Sequence, residues 1–205
     1  MTDINGIFSV CEAVGTAAFA VSGAMVAVDK GTDIFGVLLM AVFTALGGGT
    51  LRDMLIGYFP PRMFTNFHYV LLACLCAIVV FAIARTFKER YVARERMIEQ
   101  INNVFDAIGL GVFAVSGARI GMEAGFADNM FLTTFLGTTT AIGEMPFVLK
   151  KRVYAVAAIL GALGYALLLR VGLGEVAAYG MGMLITTAVR MLATVFKWNL
   201  PKALE

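Results

Sequence analysis

Apolar stretches of about 20 residues, each the length that crosses a bilayer as a helix, recur along the chain at residues 6–28, 34–57, 69–87, 104–122, 129–149, 153–170 and 177–196. Charged residues collect between them. Three connections are basic: the segment KERYVARER at 88–96, KKR at 150–152, and the tail after Lys197. EAGFADN at 123–129 is acidic. Seven spans with the N-terminus outside and the C-terminus in the cytoplasm put every basic connection inside and the acidic one outside, as the distribution of Lys and Arg around membrane spans requires. Tyr58, Phe59, Phe64, Phe67 and Tyr69 gather at the predicted outer interface, and Trp198 at the inner one, where amphipathic rings anchor.

The pattern contains a repeat. Phe19-Ala20-Val21-Ser22-Gly23-Ala24 returns as Phe113-Ala114-Val115-Ser116-Gly117-Ala118. At the same spacing Glu12 falls on Asp106, Gly15 on Gly109 and Gly31 on Gly125. Spans one to three therefore recur as spans four to six, and because three is odd the second copy runs upside down. Such inverted repeats place functional paths near the midplane of transport proteins. Thr44-Ala45-Leu46-Gly47 matches Thr140-Ala141-Ile142-Gly143, but the segment GGTLRDMLIG at 48–57 has no counterpart in the second copy. The predicted organisation is an all-α membrane protein of seven transmembrane helices. Residues 1–87 form the first three-helix repeat, 88–103 a basic cytoplasmic linker, 104–170 the inverted and shortened repeat, and 171–205 the seventh helix and tail. The fifth helix is expected to be shorter than the second, with Glu144 and Pro146 drawn into its cytoplasmic end.

Composition narrows the chemistry. Sixty per cent of residues are hydrophobic and 15% charged, with mean hydropathy +0.86, which is the profile of an integral membrane protein. A net charge of +2, with its basic residues confined to connections, gives no nucleic-acid footprint. The N-terminal MTDINGIF lacks a basic leader region, so the first span is expected to remain in the mature protein. Cys11, Cys74 and Cys76 lie in apolar segments without ligand spacing to His68, which supports neither disulfides nor a metal site. No nucleophile–base pair or phosphate loop appears, so no enzyme and no cofactor are expected.

Intramembrane polar residues are the candidate functional groups. Gly47, Gly48 and Gly49 lower the cost of leaving helical geometry, so a break in the second helix is predicted there, exposing carbonyl oxygens of the kind that replace a cation's hydration shell; tight helix packing on small residues is the alternative. Glu12 and Arg52 both fall about 9 Å outside the midplane at 1.5 Å per residue. They are expected to pair, with Asp53 nearby, unless Glu12 serves only its helix dipole. Asp106 mirrors Glu12 from the other side, with Lys150, Lys151 or Arg190 as candidate partners. Arg119 is placed to snorkel toward the outer interface. Ser22, Ser116, Thr44, Thr138, Thr139 and Thr140 suit either interhelical bonds or a wet path.

The doubled FAVSGA, GGGTLRD, the GEMP after the fifth span and the tail from Arg190 to Trp198-Asn199-Leu200-Pro201 together resemble a small bacterial membrane family long listed as uncharacterised and also labelled a glycine-transporter domain. That family is similar in fold to the trimeric intracellular cation channels (TRIC). The resemblance implies seven helices per protomer, a homotrimer in the bacterial inner membrane, and a potassium-permeable pore inside each protomer, lined by the second and fifth helices. A carrier for glycine or a similar zwitterion, and a nonconducting structural or vestigial protein, are the alternatives.

Overall fold

A computed structural model describes residues 2–142 and 153–198. The long helices are α1 (Thr2–Asp29), α2 (Ile34–Leu55), α4 (His68–Thr86), α6 (Glu95–Gly121), α7 (Met130–Ile142), α8 (Tyr154–Arg170) and α9 (Glu175–Val195). Two short helices, α3 (Arg62–Thr65) and α5 (Lys88–Ala93), lie in connections. Among the described residues five helices are long and apolar enough to cross a membrane: Ile4–Asp29, Ile34–Leu55, His68–Thr86, Arg96–Phe126 and Glu175–Val195; Met130–Ile142 and Tyr154–Arg170 are shorter apolar helices. The protein is an all-helical membrane protein. The basic linker is helical, since α6 begins well before the apolar stretch does.

Helix ends follow local chemistry. At the end of α1, Gly31 takes φ +70°, its N–H bonds the Val28 carbonyl at 2.9 Å, and the Thr32 N–H bonds the Ala27 carbonyl at 3.2 Å. That is the two-bond C-terminal cap that glycine permits. Asp33 then opens α2 by accepting from the Gly36 N–H at 2.8 Å. The end of α2 repeats the device at Gly57, φ +76°, with the Tyr58 N–H on the Asp53 carbonyl at 2.8 Å.

The predicted break at Gly47–Gly49 is not there. Helix α2 stays hydrogen-bonded through the triplet to Leu55. Glycine weakens a helix by about 1 kcal/mol per site relative to alanine, but inside a membrane an unpaired peptide group costs several kcal/mol, so the ladder persists. Gly49 leaves room instead: the nearest side-chain atom to a Cβ added there would be Nη2 of Arg52, 3.7 Å away. Gly143, Glu144, Pro146, Lys150 and Lys151 lie outside the described residues, as does the end of the fifth span.

Helices α1, α2 and α4 pack on one another, as do α6, α7 and α8, while α1 crosses α6, α2 touches α7, and α9 lies against α6 and α8. The two trios use matching contacts. Gly23 of α1 sits against Thr44 and the Met40 carbonyl of α2, and Gly117 of α6 sits against Thr140 and the Leu136 carbonyl of α7. In each case the threonine hydroxyl donates to that same carbonyl, at 2.7 Å from Thr44 and 2.6 Å from Thr140. The repeated Ser-Gly-Ala is thus a helix-contact motif.

The α1–α6 crossing is antiparallel and in exact register. Glu12 meets Ser116, Gly15 meets Val112 and Phe113, and Gly109 meets the Phe19 ring. For the pairs 12/116, 15/113 and 19/109 the residue numbers total 128 each time. By the same register Ser22 stands opposite Asp106.

A Cβ at Gly117 has nowhere to go, whereas one at Gly6 would meet nothing within 4 Å. Gly117→Ala is expected to lower stability by about 1–3 kcal/mol, the usual cost of overpacking, and Gly6→Ala to leave it unchanged or slightly raised. Thermal unfolding in detergent measures both.

Candidate functional site

Two clusters of buried polar groups flank the α1–α6 crossing. In the first, Ser116 Oγ donates to Glu12 Oε1 at 2.5 Å. The carboxylate lines a cavity of about 70 Å³ together with Thr16, Thr50, Arg52, Asp53, Tyr69 and Phe113, among others. That volume is enough for one or two waters or a partly dehydrated monovalent cation. Thr16 Oγ1 donates to the Glu12 carbonyl at 2.8 Å, and Thr50 Oγ1 has two acceptors in reach, the Leu46 carbonyl at 2.9 Å and Met63 Sδ at 2.7 Å; both hydroxyl oxygens keep lone pairs at the cavity wall.

Arg52 does not pair with Glu12. Its Nε and Nη2 both donate to Asp53 Oδ1, at 3.0 and 2.7 Å, and both side chains are almost fully buried. The other carboxylate oxygen, Oδ2, accepts the backbone N–H of Arg62 at 2.9 Å, which fastens α3 to the end of α2. The sequence placed Arg52 and Glu12 at one depth correctly enough for them to share a cavity, but a neighbouring carboxylate on the same helix satisfies the guanidinium without an interhelical reach. The bridge expected from depth alone is therefore replaced by a local one, and the Glu12 side chain stays at the cavity wall.

The second cluster joins α6, α8 and α9. Arg190 Nε and Nη2 donate to Asp106 Oδ2 at 3.3 and 3.2 Å, and the Tyr154 hydroxyl donates to Oδ1 at 3.2 Å. The guanidinium carbon lies 5.1 Å from the Tyr154 ring centroid. Of the three candidate partners for Asp106, Arg190 is the one described, and it comes from outside both repeats. Tyr154 was not singled out from the sequence, where a lone tyrosine at a span's edge reads as an interfacial anchor.

Arg119 lies in the last turn of α6. It bonds Glu175 at 2.9 Å and Glu123 at 2.6 Å and lies 4.0 Å from the centroid of the Phe8 ring, closing one end of α1, α6 and α9 together. Thr44 and Thr140 serve the helix contacts described above. Ser22 and Ser116 are both buried, and Ser116 reaches the cavity through Glu12. Among the described residues no group of three or more His, Cys, Asp or Glu could hold a metal ion, and the three cysteines are free.

Where α1, α4, α5 and α6 end or begin, a larger cavity of about 840 Å³ is lined by Asp29, Arg85, Lys88, Tyr91 and Glu99 over an apolar floor. The Tyr91 hydroxyl points at Asp29 Oδ1, 3.5 Å away. Burial and then that carboxylate push the phenol up from 10.0 to about 12.

These features define a helical membrane protein with polar groups held inside its spans. The chain belongs to the family described as glycine transporter, whose model matches residues 9–85 and 103–170. It is 32% identical over 199 residues to the UPF0126 membrane protein YvgT of Bacillus subtilis (strain 168), covering 92% of each. To the UPF0126 inner membrane protein YadS of Escherichia coli (strain K12) it is 30% identical over 200 residues, covering 92% of this chain and 91% of that one. Among solved structures, a chain from work on conductance through TRIC cation channels matches with TM-score 0.81 and 34% identity, over 96% of this chain and 97% of that one. The TRIC trimeric intracellular cation channel orthologue from Rhodobacter sphaeroides matches with TM-score 0.79 and 29% identity, over 93% and 98%. A prokaryotic TRIC channel in 0.5 M KCl matches with TM-score 0.83 and 28% identity, over 96% and 100%. The expected family and the likeness to TRIC channels are both found.

Breaking the Asp106–Arg190 pair by Asp106→Asn is expected to cost roughly 3–5 kcal/mol, as a buried charge loses its partner, and much less in an Arg190→Gln background. Arg52→Gln should likewise soften the effect of Asp53→Asn while leaving that of Glu12→Gln unchanged. Thermal unfolding of the single and double variants reads both couplings. Because the folded phenol holds its proton more tightly than an unfolded one, Tyr91 contributes stability that is present below pH 10 and lost as pH rises toward about 12. Unfolding across that range should show a shallower alkaline loss in Tyr91→Phe.

Proposed function

We propose that the protein is a passive channel for monovalent cations, potassium first, with a path inside each protomer of a homotrimer. The observation that carries the reading is the pairing of two acidic clusters across one antiparallel crossing. Glu12 and Asp106 stand at matching positions of α1 and α6; Asp106 is paired with Arg190, whereas Glu12 meets the Ser116 hydroxyl, so Glu12 is the end that attracts a cation. Likeness to chains described as TRIC cation channels, over nearly the full length, supports the ion class and the trimer. On this reading α7 and α8 also cross, giving seven spans in two inverted repeats plus α9, with the N-terminus outside and the C-terminus in the cytoplasm. Residues 88–103 and the tail then lie on the cytoplasmic face.

The path runs beside α2 and α7, but it does not use exposed carbonyls of a broken α2. Its oxygen ligands are side chains: the Glu12 carboxylate and the hydroxyls of Thr16, Thr50 and Tyr69 around the small cavity. Selectivity among monovalent ions then depends on how much of the hydration shell those few oxygens replace. Arg52, neutralised by Asp53, shapes the wall without opposing cation entry. Arg190 does the same for Asp106.

The family description favours a second reading, a carrier for glycine. Purified protein in planar bilayers under a potassium chloride gradient tests the choice. Discrete currents reversing near the potassium potential are expected, with Glu12→Gln lowering them several-fold. Absence of currents together with saturable glycine uptake into liposomes would establish the carrier instead.

A further inference from the structure

We infer that Phe19 and Phe113 form the apolar barrier that closes the path between the two acidic clusters. The inference rests on the proposed path and names what regulates it. The two rings stack with centroids 5.4 Å apart and planes at 23°, and they are 3% and 8% exposed. Phe113 is also part of the lining of the Glu12 cavity, so the ring pair begins where the polar wall stops. Each aromatic follows its own helix's carboxylate by seven residues, Glu12 to Phe19 and Asp106 to Phe113, which is about 10.5 Å of helix rise. The pair therefore sits midway between the clusters, on the axis of the antiparallel register.

The seats of the rings are specific. Phe19 packs on Gly109 and Phe113 reaches to within 3.4 Å of the Cβ position of Gly15, so each ring occupies a notch that a glycine leaves in the opposite helix. Two stacked phenyl rings offer no oxygen in exchange for a cation's water, and a constriction lined by carbon excludes water. A cation held at Glu12 cannot pass until the rings part. Both phenylalanines open the repeated FAVSGA, and the barrier gives that motif a second use beyond the Gly-Thr contact.

The test combines flux with thiol accessibility. In a background with Cys11, Cys74 and Cys76 changed to alanine, single reporters Ser116→Cys and Ser22→Cys stand on opposite sides of the ring pair. Protein reconstituted in liposomes is treated with a charged, membrane-impermeant thiol reagent from the Glu12 side, and potassium flux is measured in parallel. Ser116→Cys should react and Ser22→Cys should not, until Phe113→Ala is added, when Ser22→Cys labelling and potassium flux both rise several-fold. Phe113→Leu should give an intermediate rise and serves if the alanine variant does not fold; Phe113→Trp should lower the flux and leave Ser22→Cys unlabelled. A conducting parent whose flux is unmoved by these substitutions, or Ser22→Cys labelling that is equal with and without them, overturns the barrier. Labelling that follows the ring size without any potassium flux leaves the barrier standing and overturns the channel reading.

Discussion

The close crossing of α1 and α6 is the contact on which the rest of the molecule hangs. It is possible because Gly15 and Gly109 lack side chains where Val112, Phe113 and Phe19 must enter. Once that register is set, Glu12 comes to Ser116 and Ser22 is brought opposite Asp106. The same helices then receive α2 and α7 through Gly23 on Thr44 and Gly117 on Thr140. In a bilayer no hydrophobic effect drives helices together, so close backbone approach on small residues supplies the association. A methyl group at any of these glycines would shift two helices at once.

Buried charge is the second constraint, and the structure meets it locally. Each intramembrane arginine is tied to a carboxylate: Arg52 to Asp53 and Arg190 to Asp106. An unpaired charge at such depth would be costly. Arg119, bound to Glu123 and Glu175, applies the same rule nearer one end of the bundle. Glu12 differs, because its described partners are the hydroxyls of Ser116 and Tyr69 and its carboxylate borders a cavity. That difference makes it the residue on which the proposed conduction depends.

Much of this was legible in the sequence. The long helices followed from apolar run length, and the matching contacts of the two helix trios from the doubled FAVSGA with Glu12 over Asp106 and Gly15 over Gly109. What sequence depth could not give was the choice of partner. Glu12 and Arg52 lie at one level, but level does not say which carboxylate a long side chain reaches first, and Asp53 is adjacent. The glycine triplet misled for a related reason: propensity in water favours a break, whereas the membrane penalises every unpaired peptide group more heavily than three glycines weaken the helix. Arg190 substituting for a missing arginine was one of three open choices, decided by the packing of α9 on α6. Tyr154 gave no signal, because only the assembled bundle brings its hydroxyl to Asp106.

The central claim is that monovalent cations enter the protomer at the Glu12 cavity. Crystals grown in thallium in place of potassium test it most directly, since thallium mimics potassium in size and scatters anomalously. The account predicts an anomalous peak within coordination distance of Glu12 and the hydroxyls of Thr16, Thr50 or Tyr69, and its loss in Glu12→Gln. Well-ordered crystals with thallium on the protein surface and none inside the protomer would contradict it.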